Sequence, residues 1–147
     1  MMEDVYSLIN SRDVIRMKVP FPNISSNLAM QAHMYICKDS LHPSYGFIKC
    51  QTLKPYMLTS STIIHYVDEV ADASRNPFSH TSRIDCDKLF TTSSVSFSDS
   101  LKTTIRSDVC YDLFSAVISE LMADGYSCIS INEPVLVAIN SQISFIK

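Results

Sequence analysis

The sequence predicts a mainly β fold with some α structure: a small barrel of short strands followed by a packing helix near the C-terminus. Several short segments alternate apolar and polar residues with the period of a β-strand. One later segment repeats apolar residues every three or four positions, as a helix does. Hydrophobic residues make up 46% and charged residues 18% of the 147 residues, so the chain can bury a core.

The first half of the chain supplies the first predicted strands. Residues 13–19 alternate and stop at Pro20, because proline fixes the backbone and cannot donate a ladder hydrogen bond. Residues 28–37 and 45–52 alternate in the same way and predict the next two strands. Residues 63–67 fit a strand or a short helix, and we favour a strand.

The segment from Asn76 to Phe90 places a turn signal directly before a strand that alternates charged and apolar residues. Successive side chains of a strand point to opposite faces. Ile84 and Cys86 therefore turn inward, and the charged residues share the other face: Arg83, Asp85 and Asp87. We expect a scaffold strand with a solvated outer face, followed by a short sixth strand over residues 94–98.

Residues 106–124 predict a helix that packs across the barrel, with Ser107 or Thr104 as its cap and Gly125 ending it in a left-handed conformation. The remaining tail is apolar, and it adds an edge strand, seals the barrel or pairs with another subunit. We expect a single domain over residues 1–147, with the barrel and helix in 12–125 and an apolar C-terminal extension in 126–147.

Composition excludes several classes of function. The net charge of -3 gives no global attraction to nucleic acid, so any such role depends on a local patch. With only two glycines, the chain has no glycine-rich phosphate loop. The five cysteines never form a Cys-x-x-Cys motif, which predicts free buried thiols, no metal site and no cofactor. No apolar run approaches the roughly 20 residues of a membrane span, and no signal-like start is seen, so we expect a cytoplasmic protein without membrane contact.

Four segments in order carry a resemblance to a known family: 12–22, a strand closed by a proline-rich turn, then 31–39, 83–90 and the helix over 106–121. Together they resemble the PemK/MazF-like toxins, small endoribonucleases of bacterial toxin–antitoxin modules. The resemblance covers about residues 12–122. It implies an SH3-like barrel, a homodimer, an antitoxin protein as partner and metal-independent cleavage of single-stranded RNA.

The resemblance also indicates a candidate site. The family's arginine–proline pair falls on Gln31 and Ala32, and Thr52 stands near its threonine–serine position. Gln31 can donate a hydrogen bond to phosphate but supplies no positive charge. Metal-free cleavage needs a base, an acid and cations near the phosphate. His33 lies two residues from Gln31 and serves as acid or base, because the reference pKa of histidine is about 6.5.

Two hypotheses of function follow. The first is a toxin-like endoribonuclease in which His33, Thr52 and Gln31 are catalytic. Its candidate RNA-binding residues are Lys49, Lys54, Arg83 and His80. The second is a catalytically inactive barrel that binds a protein or RNA partner. The missing arginine, the pI near 5.7 and the apolar tail favour this alternative.

Overall fold

Two long antiparallel strands form the centre of the fold. The computed structural model describes residues 9–41, 43–60 and 62–146. Strand β2 (His33–Leu41) pairs with β3 (Ser44–Thr52), and β1 (Val14–Met17) lies on the other side of β2. Strand β1 stops before the turn at Pro20–Pro22, as the sequence predicts.

Among the residues that the structure describes, four further strands complete a seven-stranded sheet: β4 (Tyr66–Glu69), β5 (Ser82–Asp85), β6 (Lys88–Thr92) and β8 (Ser127–Ser130). Strands β5 and β6 pair with different parts of β3, and β4 pairs with β5. Strand β8 runs parallel to β6. A separate two-stranded sheet joins β7 (Val95–Phe97) to β9 (Ile143–Phe145).

The sheet is not closed into a barrel. Among the described residues, β1 and β4 lie at opposite ends of the strand order β1-β2-β3-β5-β4 and do not pair with each other. The mainly β antiparallel fold is therefore confirmed, whereas closure of the sheet is not observed. Both faces of the sheet are instead covered by other elements, so the apolar side chains are buried without closure.

Within the described part of the chain, four α-helices accompany the sheet: α1 (Asn27–Met30), α2 (Met57–Ser60), α3 (Tyr111–Ala123) and α4 (Glu133–Ile139), together with a short 3-10 helix (Asp99–Leu101). Helix α3 is the predicted helix, but it begins five residues later, where the Cys110 Sγ caps Leu113 N at 3.4 Å. Gly125 follows with a φ of 83°, the left-handed conformation predicted for it.

A core lies on each face of the sheet. On one face, Leu113, Val117 and Leu121 of α3 pack on strand residues that include Ile36 and Ile84. Each such buried side chain contributes about 1.5–3 kcal/mol relative to exposure. The other core takes its apolar side chains from β1 to β3 and from the C-terminal elements: Ile131, Leu136 and Ile143. Of the three alternatives for the tail, it adds strands, β8 on β6 and β9 on β7.

Two strand predictions need correction. Residues 28–30 belong to helix α1, because the Ser26 hydroxyl accepts from Ala29 N and caps a helical turn before β2 begins. The strand expected over 63–67 lies at Tyr66–Glu69. The Asp87 carboxylate accepts from the backbone N–H groups of Ile64 and His65, which holds these residues outside the ladder.

The solvated face predicted for residues 83–87 is also wrong. Arg83 and Asp85 are 2% and 0% exposed, as deeply buried as Ile84 on the opposite face. The chain leaves β5 after Asp85 and resumes as β6 at Lys88, so the expected strand is two strands. Helix α2 covers Arg83, whose Nη1 donates to the Met57 carbonyl at 2.9 Å.

The thiols are free, as predicted. Cys37, Cys50 and Cys86 are buried, whereas Cys110 is half-buried and Cys128 is exposed. Burial is the main cause that raises the pKa of Cys37 and Cys86 to about 12, so both stay protonated at neutral pH. Within residues 9–41, 43–60 and 62–146, no helix has the length and hydropathy that a membrane crossing requires.

Candidate functional site

A cleft of about 250 Å³ opens at one end of the sheet. Strands β1 and β3 end there while β2 and β5 begin there, since antiparallel neighbours alternate in direction. The backbone pairs at this end are Met17 with His33 and Thr52 with Ser82. The loops that follow β3 and precede β5 form the remaining walls.

Most of the residues selected from the sequence line this cleft: Gln31, His33, Thr52, Lys54 and His80. They come from four different parts of the chain, namely the α1–β2 junction, β3, the loop after it and the loop before β5. Lys49 and Arg83 do not line it. The antiparallel pairing therefore brings together side chains that the sequence separates by up to 49 residues, from Gln31 to His80.

His33 has a defined tautomer in its neutral form. Its Nδ1 lies 3.0 Å from the Gln31 carbonyl, and since a carbonyl only accepts, Nδ1 carries the proton. Nε2 then holds the lone pair and accepts from Asn27 Nδ2 at 3.5 Å, a long contact. The lone pair of neutral His33 thus lies at Nε2, where only the long contact with Asn27 engages it.

The pKa of His33 is lowered from its usual 6.5, and burial is the largest cause. The positive charges of Lys49 and Arg16 lower this pKa further, while the hydrogen bond to the Gln31 carbonyl opposes the shift. A neutral imidazole at physiological pH follows, which is the form that a general base requires.

The cleft carries unpaired positive charge. Arg16 is exposed on β1, and the side chains of Arg16 and Lys54 have no ion-pair partner within the described part of the chain. Amides and hydroxyls complete the polar lining: Asn27, Gln31, Gln51, Thr52, Ser79 and Ser82. No described Asp or Glu lines the cleft, so its chemistry favours an anion such as phosphate.

The loop that carries His80 is held by Asn76. This side chain is fully buried; its Oδ1 accepts from Phe78 N at 3.1 Å, and its Nδ2 donates to Glu69 Oε2 at 2.8 Å. The Ser82 hydroxyl donates to the His80 carbonyl at 2.9 Å. The turn signal recognised at Asn76 therefore positions a histidine at the wall of the cleft.

The opposite wall is formed by helix α2 and the turn before it. The aromatic ring of Tyr56 lines the cleft and is 60% exposed. An exposed aromatic side chain beside cations is typical of surfaces that bind single-stranded nucleic acid, where bases stack on the ring.

Arg83 supports helix α2 from the buried side of that wall. Its guanidinium donates to both Asp68 carboxylate oxygens at 2.8 Å and lies 3.6 Å from the centre of the Tyr66 ring. The bonds to Asp68 raise the pKa of Arg83. Lys49 lies 3.4 Å from Asp85 Oδ2. Both cations are already paired, so their predicted contact with RNA is not part of the function proposed below.

Cys50 lines the cleft, but its thiol is not a nucleophile at neutral pH. Burial is the main cause that raises the pKa of Cys50, with the neighbouring Cys86 adding to the shift. Among the described residues, no cluster of three or more histidine, cysteine or acidic side chains has the arrangement of a metal site.

Sequence reasoning missed Arg16, Asn27, Gln51 and Tyr56. For Arg16 a signal existed, because a charged residue on a mostly apolar strand marks an exposed position. Its place beside the cleft depends on the pairing of Arg16 with Met34, which no local pattern reveals. Asn27, Gln51 and Tyr56 carry no signal that separates them from ordinary polar surface residues.

The fold and the cleft define a mainly β antiparallel protein with a cationic cleft at the end of its sheet. Comparison with protein-family profiles, curated proteins and solved structures finds no match to this chain. The resemblance to PemK/MazF-like toxins therefore stays a prediction from the segments quoted for it.

Proposed function

We propose that this protein cleaves single-stranded RNA in the cleft without a metal ion, as a toxin-like endoribonuclease. One observation carries the proposal: two histidines and two unpaired cations line a single cleft in which no described carboxylate takes part. Histidines supply the base and the acid that transesterification of RNA requires, and cations stabilise the charge that develops on the phosphate.

Each group has a role in the reaction. His33 Nε2 takes the proton of a ribose 2′-hydroxyl, and the 2′-oxygen forms a bond to the adjacent phosphorus. The bond from phosphorus to the 5′-oxygen of the next nucleotide breaks, and protonated His80 gives its proton to that oxygen. The products are a 2′,3′-cyclic phosphate and a 5′-hydroxyl end. The long contact from Asn27 to Nε2 is exchanged for the substrate hydroxyl.

Arg16 supplies the charge that Gln31 cannot. The resemblance places Gln31 where the family has an arginine, and Gln31 is neutral. Arg16 reaches the same cleft from the neighbouring strand β1, and Lys54 lies in the loop after β3. Charge-assisted hydrogen bonds to phosphate are roughly twice as strong as neutral ones. Gln31 and the Thr52 hydroxyl complete the set as neutral donors.

The test is cleavage of an end-labelled single-stranded oligoribonucleotide in excess EDTA. We expect 2′,3′-cyclic phosphate ends, and we expect His33→Ala to lower the rate by about 10²- to 10⁴-fold, the usual contribution of general acid–base catalysis. His65→Ala is the matched control, because His65 contacts Glu120 and Asp124 and does not line the cleft. Equal rates for the wild type and His33→Ala would refute the assignment of the base.

A second candidate is an RNA- or protein-binding module without catalysis. The contact of Asn27 with His33 Nε2 favours it, since an engaged lone pair is not available as a base. Binding of RNA without any change in its length, in the wild type and in Asn27→Ala alike, would select this alternative.

The resemblance adds an antitoxin protein and a homodimer as proposed partners. Induced expression in a bacterium is then expected to arrest growth and degrade RNA, and a neighbouring small protein is expected to relieve the arrest. Sedimentation of the purified protein measures the oligomeric state directly. Unimpaired growth with intact RNA would contradict the toxin assignment.

A further inference from the structure

A second depression of about 300 Å³ adjoins the cleft. The two share Arg16, Met34 and Ser79 as lining residues, so they meet along a common wall. The rest of the second depression comes from the segment that follows β7, from Ser100 to Ile105, together with Pro77. We call this depression the second cleft.

The chemistry of the second cleft matches that of the first. No described Asp or Glu lines it, and Arg16 lines both spaces at their shared wall. Thr104 is exposed, and Ile105 is 60% exposed beside it, which provides a hydroxyl and an apolar surface next to the cation. Lys102 lines only the second cleft, and its ammonium lies 3.3 Å from Asp13 Oδ2, whereas Arg16 lines both spaces.

The sizes of the clefts indicate an elongated ligand. Pockets for drug-sized ligands enclose about 300–1,000 Å³. The first cleft, at about 250 Å³, lies below that range, and the second, at about 300 Å³, lies at its lower limit, so each alone takes one small unit. Joined across Arg16, they suit a chain of such units with anionic links, and single-stranded nucleic acid has this form.

Resting on the proposed function, we propose that the two clefts form one groove that binds consecutive nucleotides of single-stranded RNA. The first cleft holds the scissile phosphate, Arg16 contacts the backbone between the clefts, and the second cleft holds a flanking nucleotide. The substrate is therefore an oligoribonucleotide that extends beyond the cleaved dinucleotide unit.

The experiment measures the affinity of 2′-O-methyl oligoribonucleotides, which lack the attacking hydroxyl and cannot be cleaved. We expect affinity to rise from the dinucleotide to the octanucleotide. Thr104→Glu places a negative charge in the second cleft, and we expect it to weaken octanucleotide binding about tenfold more than dinucleotide binding, because like charges repel at short range. Ser115→Glu, the same charge change on the exposed side of α3, is expected to leave both affinities unchanged.

Several outcomes would overturn the groove. Equal affinity for the dinucleotide and the octanucleotide is the first. The second is an equal effect of Thr104→Glu and Ser115→Glu on octanucleotide binding, in variants whose far-UV circular dichroism is that of the wild type. A second variant, Ile105→Ser, tests the same cleft without a charge, and it should also weaken the octanucleotide more. Cleavage of a dinucleotide as fast as an octanucleotide would refute the groove and leave the proposed function standing. Affinity that rises with oligonucleotide length, in a protein that cuts no RNA, would support the groove and refute the proposed function.

Discussion

At the scale of single residues, His33 is controlled by its charged neighbours. Burial lowers its pKa most, and Lys49 and Arg16 lower it further. A base acts in its neutral form, so His33 sets the acidic side of the pH profile, and activity is lost as the pH falls through its pKa. The lowered pKa therefore extends the active range to more acidic pH than a histidine with a pKa of 6.5 would allow.

Removal of one of these charges is expected to move the acidic side of the pH–activity profile. In Arg16→Ala the pKa of His33 rises toward 6.5, because a repelling positive charge is lost, so activity falls at a higher pH than in the wild type. The measurements are the pH profile of kcat/KM and the NMR titration of the His33 ring, which needs no substrate. Lys38→Ala is the control, since Lys38 pairs with Asp39 far from the cleft. An unmoved titration in Arg16→Ala would contradict the coupling.

Substitution of Tyr56 tests RNA binding rather than catalysis. Its ring is 60% exposed in the wall of the cleft. Stacking of a base on an aromatic ring contributes about 1–3 kcal/mol, so Tyr56→Ala should weaken binding of a 2′-O-methyl oligonucleotide by about 5- to 150-fold. Tyr56→Phe should retain most of the affinity. Tyr111→Ala removes a ring that is 70% exposed at the start of α3, and it should have no effect. Wild-type affinity in Tyr56→Ala would exclude stacking.

At the scale of elements, the buried Arg83 joins three of them. It lies on β5, pairs with Asp68 and Tyr66 of β4, and donates to the Met57 carbonyl of α2. The guanidinium is desolvated and gains its stability from these bonds, so loss of one partner costs more than the pair contributes net. The wall of the cleft thus depends on an ion pair behind it.

Asp68→Asn is expected to destabilise this arrangement. The substitution keeps the size of the side chain but leaves the buried Arg83 charge without its carboxylate, at a cost of about 3 kcal/mol. The free energy of unfolding in urea measures the loss, and amide exchange should show β4 and α2 opening first. Asp112→Asn, an exposed carboxylate in the first turn of α3, should cost no more than about 1 kcal/mol. Similar losses in both variants would show that the pair is not structurally important.

The same elements show what the sequence predicts and what it misses. The spacing of Leu113, Val117 and Leu121 predicts α3 because a helical stripe is a local pattern. The burial of Arg83 and Asp85 is not predictable from alternation, since α2 covers that face from a distant part of the chain. Signals for α4 were present, with Asn132 as cap and Pro134 in the first turn, but the apolar run beyond them resembled a strand.

The candidate site, too, is predictable from the sequence only where a local feature indicates it. His33 is predictable by residue type, because the reference pKa of histidine suits an acid or a base, whereas Thr52 was selected through the family resemblance. Their meeting with Arg16 depends on the register that places β1 beside β2. Register results from pairing over the whole sheet, so one local pattern cannot specify which cation reaches the cleft.

At the scale of the whole molecule, the C-terminal elements are tied to the first strand. Asn140 follows α4 and is 8% exposed. Its Oδ1 accepts from Lys18 N at 2.9 Å, and its Nδ2 donates to the carbonyls of Lys18 and Leu136 at 2.8 Å. One side chain thus satisfies backbone groups of Leu136 in α4 and of Lys18, which lies 122 residues before Asn140 in the sequence.

Asn140→Asp is expected to break this tie with almost no change in shape. The carboxylate still accepts from Lys18 N, but its second oxygen faces two carbonyls that lose their donor, which should cost about 2–4 kcal/mol because buried polar groups are left unsatisfied. Asn132→Asp is the matched control, since Asp caps a helix as well as Asn does and should leave the stability of α4 unchanged. The measurement is urea unfolding followed by far-UV circular dichroism and tyrosine fluorescence. If Asn140 holds the C-terminal elements and the first strand in one cooperative unit, both signals of Asn140→Asp shift together to lower urea. An early shift of one signal alone would show that the C-terminal elements unfold separately.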